Sequence, residues 1–304
     1  MTVLNLLRKA NDKISWTNDT WNFAMGCDKV APECAHCYIY LNIRKHHLQP
    51  WGEVTRSKST WGKPMEWQRF LERRGGDECM RMFTMSLGDF FHVKVDGMRD
   101  EAWDIIRRTP NVIYLILTKR PERILRCLPS DWGEGWQNVW LGTSVGCNMR
   151  LPGIDLLRKV PIHPKAVRFL SCEPLLEDIA PNLNLDGIGW VIVGGESGIA
   201  GQENSRTSGE YLWMPENWKT ELHDAPGARR TMKLEWAVGI RDLCERLKVP
   251  FFFKQMTAPK PGKGTDVLGK VYHNFPAPPF GVWVSDSGEQ TTLNGDMKSL
   301  LEER

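Results

Sequence analysis

No stretch of this 304-residue chain approaches the roughly 18 apolar residues of a membrane span. The opening run, MTVLNLLRKANDKISW, has neither the long apolar segment nor the small-residue cleavage site of a secretion signal. Charge of one sign is not in excess. Forty Lys and Arg face 37 Asp and Glu, a net +3, which argues against a pure polyelectrolyte binder of nucleic acid. Low-complexity tracts and internal repeats beyond a strand–helix rhythm are missing. These absences predict a soluble, cytoplasmic chain with no membrane partner. Its length allows a large core, built as one α/β barrel or as two domains.

A disulfide framework is not expected either. Of eight cysteines, Cys79, Cys127, Cys147, Cys172 and Cys244 are scattered, several in apolar segments. With no secretion signal, such cysteines read as buried free thiols. The other three behave differently. Cys27, Cys34 and Cys37 lie in MGCDKVAPECAHCY with C-x6-C-x2-C spacing. Three thiolates are one short of a closed tetrahedral zinc site or of a four-cysteine cluster. On a cubane cluster they leave one iron open to a small molecule. Two other readings stay open: zinc completed by His36, His46 or His47, and unliganded thiols. No second C-x2-C or paired-histidine half follows. The run YIYLNIRKHH after Cys37 reads as helical, and a helix N-terminus favours thiolate charge.

Short apolar runs recur at 82–85, 112–117, 139–141, 167–170, 190–193 and 250–253. Continuous apolar runs fit strands buried on both faces of a parallel sheet. A first strand near 14–17 and a weak second near 53–55 bring the count to about eight. Helices are predicted at 100–108, 121–128 and 234–247. The alternation predicts an α/β fold with parallel strands, a complete (β/α)8 barrel or a partly open one. It spans 1–257, with a long polar insertion at 199–232 that reads as a lid or loop. A small appended segment follows at 258–304.

The strands end in polar motifs: SLGD (86–89), TKRP (118–121), GTSV (142–145), SCEP (171–174), GGESG (194–198) and KQ (254–255). In a parallel barrel these ends share the C-terminal face, where active sites are built. The cysteine loop follows the first predicted strand and opens on the same face.

Taken in order, the triplet, ISWTNDTWN, SLGDFF, LTKRPER, VWLGTSV, RFLSCEPLL, WVIVGGESG and PFFFKQ resemble a phage-associated family. Its members are largely uncharacterised and are regarded as radical S-adenosylmethionine enzymes with a variant three-cysteine motif. The resemblance covers about residues 13–257. It implies a barrel carrying a [4Fe–4S] cluster on Cys27, Cys34 and Cys37, with S-adenosylmethionine as co-substrate and an external electron donor. It also leaves room for a separately encoded partner protein. The phage association points to a nucleic-acid base or nucleotide as substrate. Two departures stand out. The first cysteine gap is six residues where three is common. Gly194-Gly195-Glu196 follows a late strand rather than the second, so the methionine-binding role of Gly-Gly-Glu does not transfer directly.

Candidate catalytic groups are Glu173, Glu196 and Lys119. Candidate cofactor-binding groups are Ser86, Asp89, Arg120, Ser144, Gly194, Gly195, Ser197 and Lys254. Glu173 and Glu196 admit three roles: an acid/base pair as in glycosidases, ligand binding, or ion pairs with Lys119, Arg120 or Lys254 across the mouth. Lys119 and Arg120, just before a helix start at Pro121, suit a phosphate or carboxylate. Ser86, Thr143, Ser144 and Ser197 serve equally as ligand contacts or helix caps. Trp103 and Trp190 read as core. Trp132, Trp136, Trp213 and Trp218, in polar loops, read as covers for the barrel ends, with base stacking as the rival role. The basic pairs Arg44-Lys45, Arg229-Arg230 and Lys260/Lys263 read as solvated faces. Two rivals to the radical enzyme remain: a zinc-stabilised nucleic-acid-binding protein and a carboxylate-dependent barrel hydrolase.

Overall fold

The computed structural model describes residues 14–37, 53–197, 230–258, 262–284 and the backbone of 290–291. Several expectations lie outside them: the helix predicted after Cys37 with Arg44, Lys45, His46 and His47, most of the 199–232 insertion, Trp213, Trp218, Arg229 and Lys260.

The chain opens with β1 (Asp19–Trp21) and a small antiparallel pair, β2 (Ala24–Met25) and β3 (Thr55–Arg56). The main strands follow: β4 (Glu78–Thr84), β5 (Val112–Thr118), β6 (Val139–Ser144), β7 (Arg168–Cys172), β8 (Trp190–Gly194) and β9 (Phe251–Gln255). Seven parallel strands, in the order β1-β4-β5-β6-β7-β8-β9, curl into a half-barrel. The mixed α/β class and the parallel sheet are as the apolar runs predicted, in the partly open form. Late in the chain a hairpin, β10 (Asp266–Val267) with β11 (Lys270–Val271), precedes β12 (Val282–Val284) and β13 (Gln290–Thr291). β12 lies parallel to the start of β4, and β1 lies along its end. Among the described residues, no helix is long and apolar enough to cross a membrane.

The sheet is buried on both faces. Its convex side, with Met80, Tyr114, Leu141, Val191 and Phe253, packs on Trp67, Phe70, Trp103, Ile106, Leu157, Ile240 and Leu243 of the helices. Those helices are Lys63–Arg73, Asp96–Arg107, Pro152–Arg158 and Leu234–Leu247. Its concave side carries Phe83, Ile113, Leu115, Trp140, Phe169, Trp190, Ile192 and Phe252, joined by Trp16 and Trp283. The rings of Trp140, Phe169 and Phe252 surround Trp190 at 5.9–6.4 Å.

Three predicted elements differ. The first strand begins at Asp19, not near Ile14, because side chains take the earlier ladder positions. Thr17 Oγ1 accepts from Phe83 N and donates to Arg81 O, and Asn18 Oδ1 accepts from Arg81 N. Such side-chain bonds replace strand pairing. The weak strand near 53–55 becomes β3, which does not join the half-barrel, because β1 pairs β4 directly and leaves no place between them. Residues 121–128 form two 3-10 turns, Pro121–Arg123 and Leu125–Cys127, rather than an α-helix. Leu128 precedes a proline and is extended (ψ 149°), as proline forces on its predecessor. The helices Lys63–Arg73 and Pro152–Arg158 have no counterpart in the sequence reading.

Trp132 is buried and donates to Pro161 O at 2.9 Å. It packs between Trp103 and Trp136, so it covers the core rather than offering a stacking face. All eight cysteines are free, and the five scattered ones are buried.

Candidate active site at the mouth of the half-barrel

Side chains alternate along each strand, so the concave face changes character with height. β6 presents Trp140, Gly142 and Ser144 in turn, and β7 presents Phe169 and Ser171, with Glu173 just beyond. A Cβ on Gly142 would stand 2.5 Å from the Phe169 ring, so glycine is what lets that ring lie across the lumen. An apolar floor therefore gives way to polar groups at the strand ends. β9 adds Lys254 at a register shift against β8: Val193 pairs Phe253, and Gly194 pairs Gln255. Bulges of this kind re-aim a side chain. Here Lys254 Nζ donates to Glu173 Oε1. Gly194 lies under this pair, 3.4 Å from Glu173 were it to carry a Cβ.

The cysteine loop crosses the mouth and reaches residues just past β5, β6 and β8: Arg120, Gly146 and Glu196. Gly26 adopts φ 113°, and a Cβ there would sit 2.0 Å from Glu53 O, so only glycine permits this crossing. Pro32 opens a short 3-10 turn, Pro32–Cys34, and Cys37 N bonds back to Cys34 O at 3.3 Å. Two distant contacts fasten the turn. Glu33 Oε1 accepts from Gly146 N at 2.8 Å, and Arg230 Nη1 donates to Pro32 O at 2.8 Å. Cys34 is buried, while Cys27 and Cys37 are half-buried.

Charge gathers around the thiols. Arg120 Nη1 lies 3.5 Å from Cys27 Sγ and 3.3 Å from Asp89 Oδ2. Its other terminal nitrogen bonds Asp28. Burial, then the nearby Asp89 charge, pushes the Cys27 thiol up to about 12, against the pull of Arg120. Cys34 and Cys37 add to the rise, so the three sulfurs bear on one another. Lys119 donates to Ser144 Oγ at 3.1 Å. Burial alone would lower its pKa, but the charges of Cys34, Glu33, Cys37 and Asp89 raise it. Asp89 accepts from Thr118 Oγ1 (2.7 Å), Phe91 N (2.9 Å) and Lys119 N (3.0 Å). Its deep burial still pushes the carboxyl up.

Glu196 has a different setting. Its Oε2 accepts from Arg230 N (2.8 Å) and meets His36 Nδ1 (2.9 Å), and its Oε1 accepts from Arg230 Nε (3.1 Å) and Nη2 (2.5 Å). Burial would raise its pKa, but His36 and Arg230 outweigh that and hold the carboxyl at about 2. Each of the two candidate acid/base glutamates is thus tied to its own cation. Arg230, read from sequence as part of a solvated pair, is buried.

The predicted site residues therefore fall into groups. Cys27, Arg120 and Asp89 meet, as do Lys119 and Ser144, and Glu173, Lys254 and Gly194. Ser86 instead exchanges hydrogen bonds with Asn22. Gly195 admits Thr257, whose nitrogen would be 2.3 Å from a Cβ, and Ser197 bridges Ala258 through backbone. The sequence reading missed Glu33, Asp28 and the lumenal Ser171. Their only local signal was position: Glu33 and Asp28 lie inside the cysteine spacing, and Ser171 opens a strand-end motif.

Among the described residues, no three Cys, His, Asp or Glu converge as ligands of one metal ion. A tetrahedral zinc would draw its sulfurs to about 2.3 Å from the metal. The thiols nevertheless share one loop and one field, beside two cations. Soft sulfur donors in that setting suit a sulfur-rich cluster, which is larger than a single ion. The donor chemistry fits such a group.

A family model described as protein of unknown function (DUF5131) matches residues 11–228. No curated protein and no solved structure matches the chain.

Proposed function

The chain belongs to the DUF5131 family, and on the geometry of its cysteine loop we propose that it is a radical S-adenosylmethionine enzyme with a cluster held by Cys27, Cys34 and Cys37. One observation carries this reading: three thiols share a loop at the barrel mouth, against the Lys119 ammonium and the Arg120 guanidinium. Thiolates in a buried site need compensating positive charge, and these two residues supply part of it, against the burial and the Asp89 charge that push the Cys27 thiol up. A three-cysteine set leaves one iron for an exchangeable ligand. Cys27, Cys34 and Cys37 would hold the cluster, and the chemistry it would supply when bound and reduced is one-electron reductive cleavage of S-adenosylmethionine.

The chain's own residues bind, orient and shield. Trp140, Phe169, Trp190 and Phe252 form a dry floor beneath the mouth, which keeps water from a reactive species. Ser144 and Ser171 at strand ends offer hydroxyls to a ligand. The Lys254–Glu173 pair offers both a donor and acceptors. The substrate we propose is a nucleic-acid base or nucleotide, which the resemblance to phage-associated proteins favours. The hydrolase reading is weaker because both carboxylates are engaged by cations, Glu173 by Lys254 and Glu196 by Arg230 and His36, so neither is placed as the proton-holding acid that a two-carboxylate mechanism needs.

The test is anaerobic reconstitution with iron and sulfide beside a Cys34→Ala variant. Wild type is expected to take up both, to gain a broad visible absorption that dithionite bleaches, and to release 5′-deoxyadenosine from S-adenosylmethionine. Cys34→Ala is expected to do none of these. A colourless protein carrying stoichiometric zinc would sink the proposal.

A further inference from the structure

We propose that Arg120 is a positioning residue that donates to the Cys27 sulfur and so raises the potential at which a cluster held there accepts its electron. This rests on the reading above, in which Cys27, Cys34 and Cys37 hold that cluster. It also withdraws Arg120 from the phosphate or carboxylate role that its place before Pro121 suggested.

The guanidinium is 6 % exposed and is spent on the cysteine loop. Nη1 donates to Cys27 Sγ at 3.5 Å and to Asp89 Oδ2 at 3.3 Å. Nη2 bonds the Asp28 carboxylate and reaches Asp28 O at 3.3 Å. A planar guanidinium presents its donors in a rigid fork, so partners on one nitrogen fix where the other points. Two braces hold the fork. Asp89 accepts from Thr118 Oγ1, Phe91 N and Lys119 N. His92 Nδ1 accepts from Lys94 N at 3.0 Å, which places the proton of the neutral ring on Nε2. That nitrogen stands 3.2 Å from Asp28 Oδ1, at ion-pair distance but without the alignment of a hydrogen bond. Asp89 and His92 belong to one turn after β4, where His92 N bonds Asp89 O at 3.0 Å.

Reduction adds one negative charge to a cluster and its thiolates. A cationic N–H at a ligating sulfur stabilises that charge, and more so in a buried site than in water. Hydrogen bonds to the sulfurs are among the levers that set cluster potentials. Asp89, on the same nitrogen, acts in the opposite direction. The two residues therefore carry opposite signs, which a merely loosened loop does not produce.

The test is a redox titration of the reconstituted protein, with dithionite supplying one electron per cluster and visible absorption following it. At the potential where wild type is half reduced, Arg120→Met should show a reduced-to-oxidised ratio about tenfold lower, the scale of one hydrogen bond to a charged group. For one electron that is a shift of about 59 mV. Arg120→Lys keeps the charge and loses the fork, and should fall between the two. Asp89→Asn should move the ratio upward. Thermal unfolding and iron per chain check that each variant folds and loads. The inference is overturned if loaded Arg120→Met reduces at the wild-type potential, or if it shifts in the same direction as Asp89→Asn. Where Arg120→Met fails to fold or load, Arg120→Lys against Asp89→Asn decides by the same signs. A wild-type chain that takes up no iron removes the cluster and this inference together. A loaded wild type whose potential ignores Arg120 keeps the cluster and removes the inference alone.

Discussion

Glu196 shows how one side chain can fasten two segments that are far apart in sequence. It meets His36 of the cysteine loop and Arg230 at the end of the insertion, and Arg230 in turn holds Pro32 O. Removing the charge leaves a buried guanidinium with little compensation, which costs about 3–5 kcal/mol. Glu196→Gln should therefore lower the unfolding free energy by about 3 kcal/mol or more, measured by denaturant titration at neutral pH. The pH dependence has a definite sign. The folded carboxyl sits at about 2, below its ordinary 4.5, so the folded state binds fewer protons. Its stabilisation is fully present above about 4.5 and is lost as pH falls toward 2. Wild type should lose stability across that window, and Glu196→Gln should show a flatter limb there. Equal slopes would mean the carboxyl is not held down.

At the scale of elements, the decisive arrangement is β6 against β7. Gly142 faces the Phe169 ring, and the ring closes the lumen below the polar strand ends. Gly142→Ala would put a methyl 2.5 Å from ring carbons. Overpacking of that kind costs about 1–3 kcal/mol, so a lower thermal midpoint is expected, checked by calorimetry. A midpoint equal to wild type would show that the ring can step aside and that the floor is softer than its packing implies. The bulge that aims Lys254 is also a property of a strand pair, β8 with β9, and not of any residue alone. The run PFFFKQ marks a strand but carries no sign that its register shifts by one.

For the whole molecule, the half-barrel is not closed by its own seven strands. β12 pairs the start of β4, and Trp283 meets Trp140 edge to face at 5.6 Å while donating to Pro276 O. Arg81 lies over Phe275, 4.1 Å from its centroid. The late segment thus supplies part of the lumenal floor. Ending the chain at residue 258 should remove that cover and expose several aromatic rings. The truncated chain is expected to aggregate or to melt without a cooperative transition, as seen by thermal scanning. Melting at the wild-type temperature would show that 259–304 is dispensable.

The sequence by itself determined the six strands β4 to β9, the polar strand ends and the cysteine loop. Each rests on local pattern: apolar runs long enough for a doubly buried strand, and residue types suited to turns and thiol chemistry. It could not say which charges meet, because ion pairing depends on distances between segments remote in sequence. Glu196 with Arg230 is 34 residues apart, Glu173 with Lys254 is 81, and Glu33 with Gly146 is 113. The same holds for the first strand, where Thr17 reads as a strand residue until β4 offers its backbone to the side chains of Thr17 and Asn18. Tertiary structure alone decided that Glu196 is spent on a buried arginine while Glu33, among the described residues, has one oxygen without a hydrogen-bond partner. Burial raises the cost of every uncompensated charge, and only the folded chain fixes which charges are compensated.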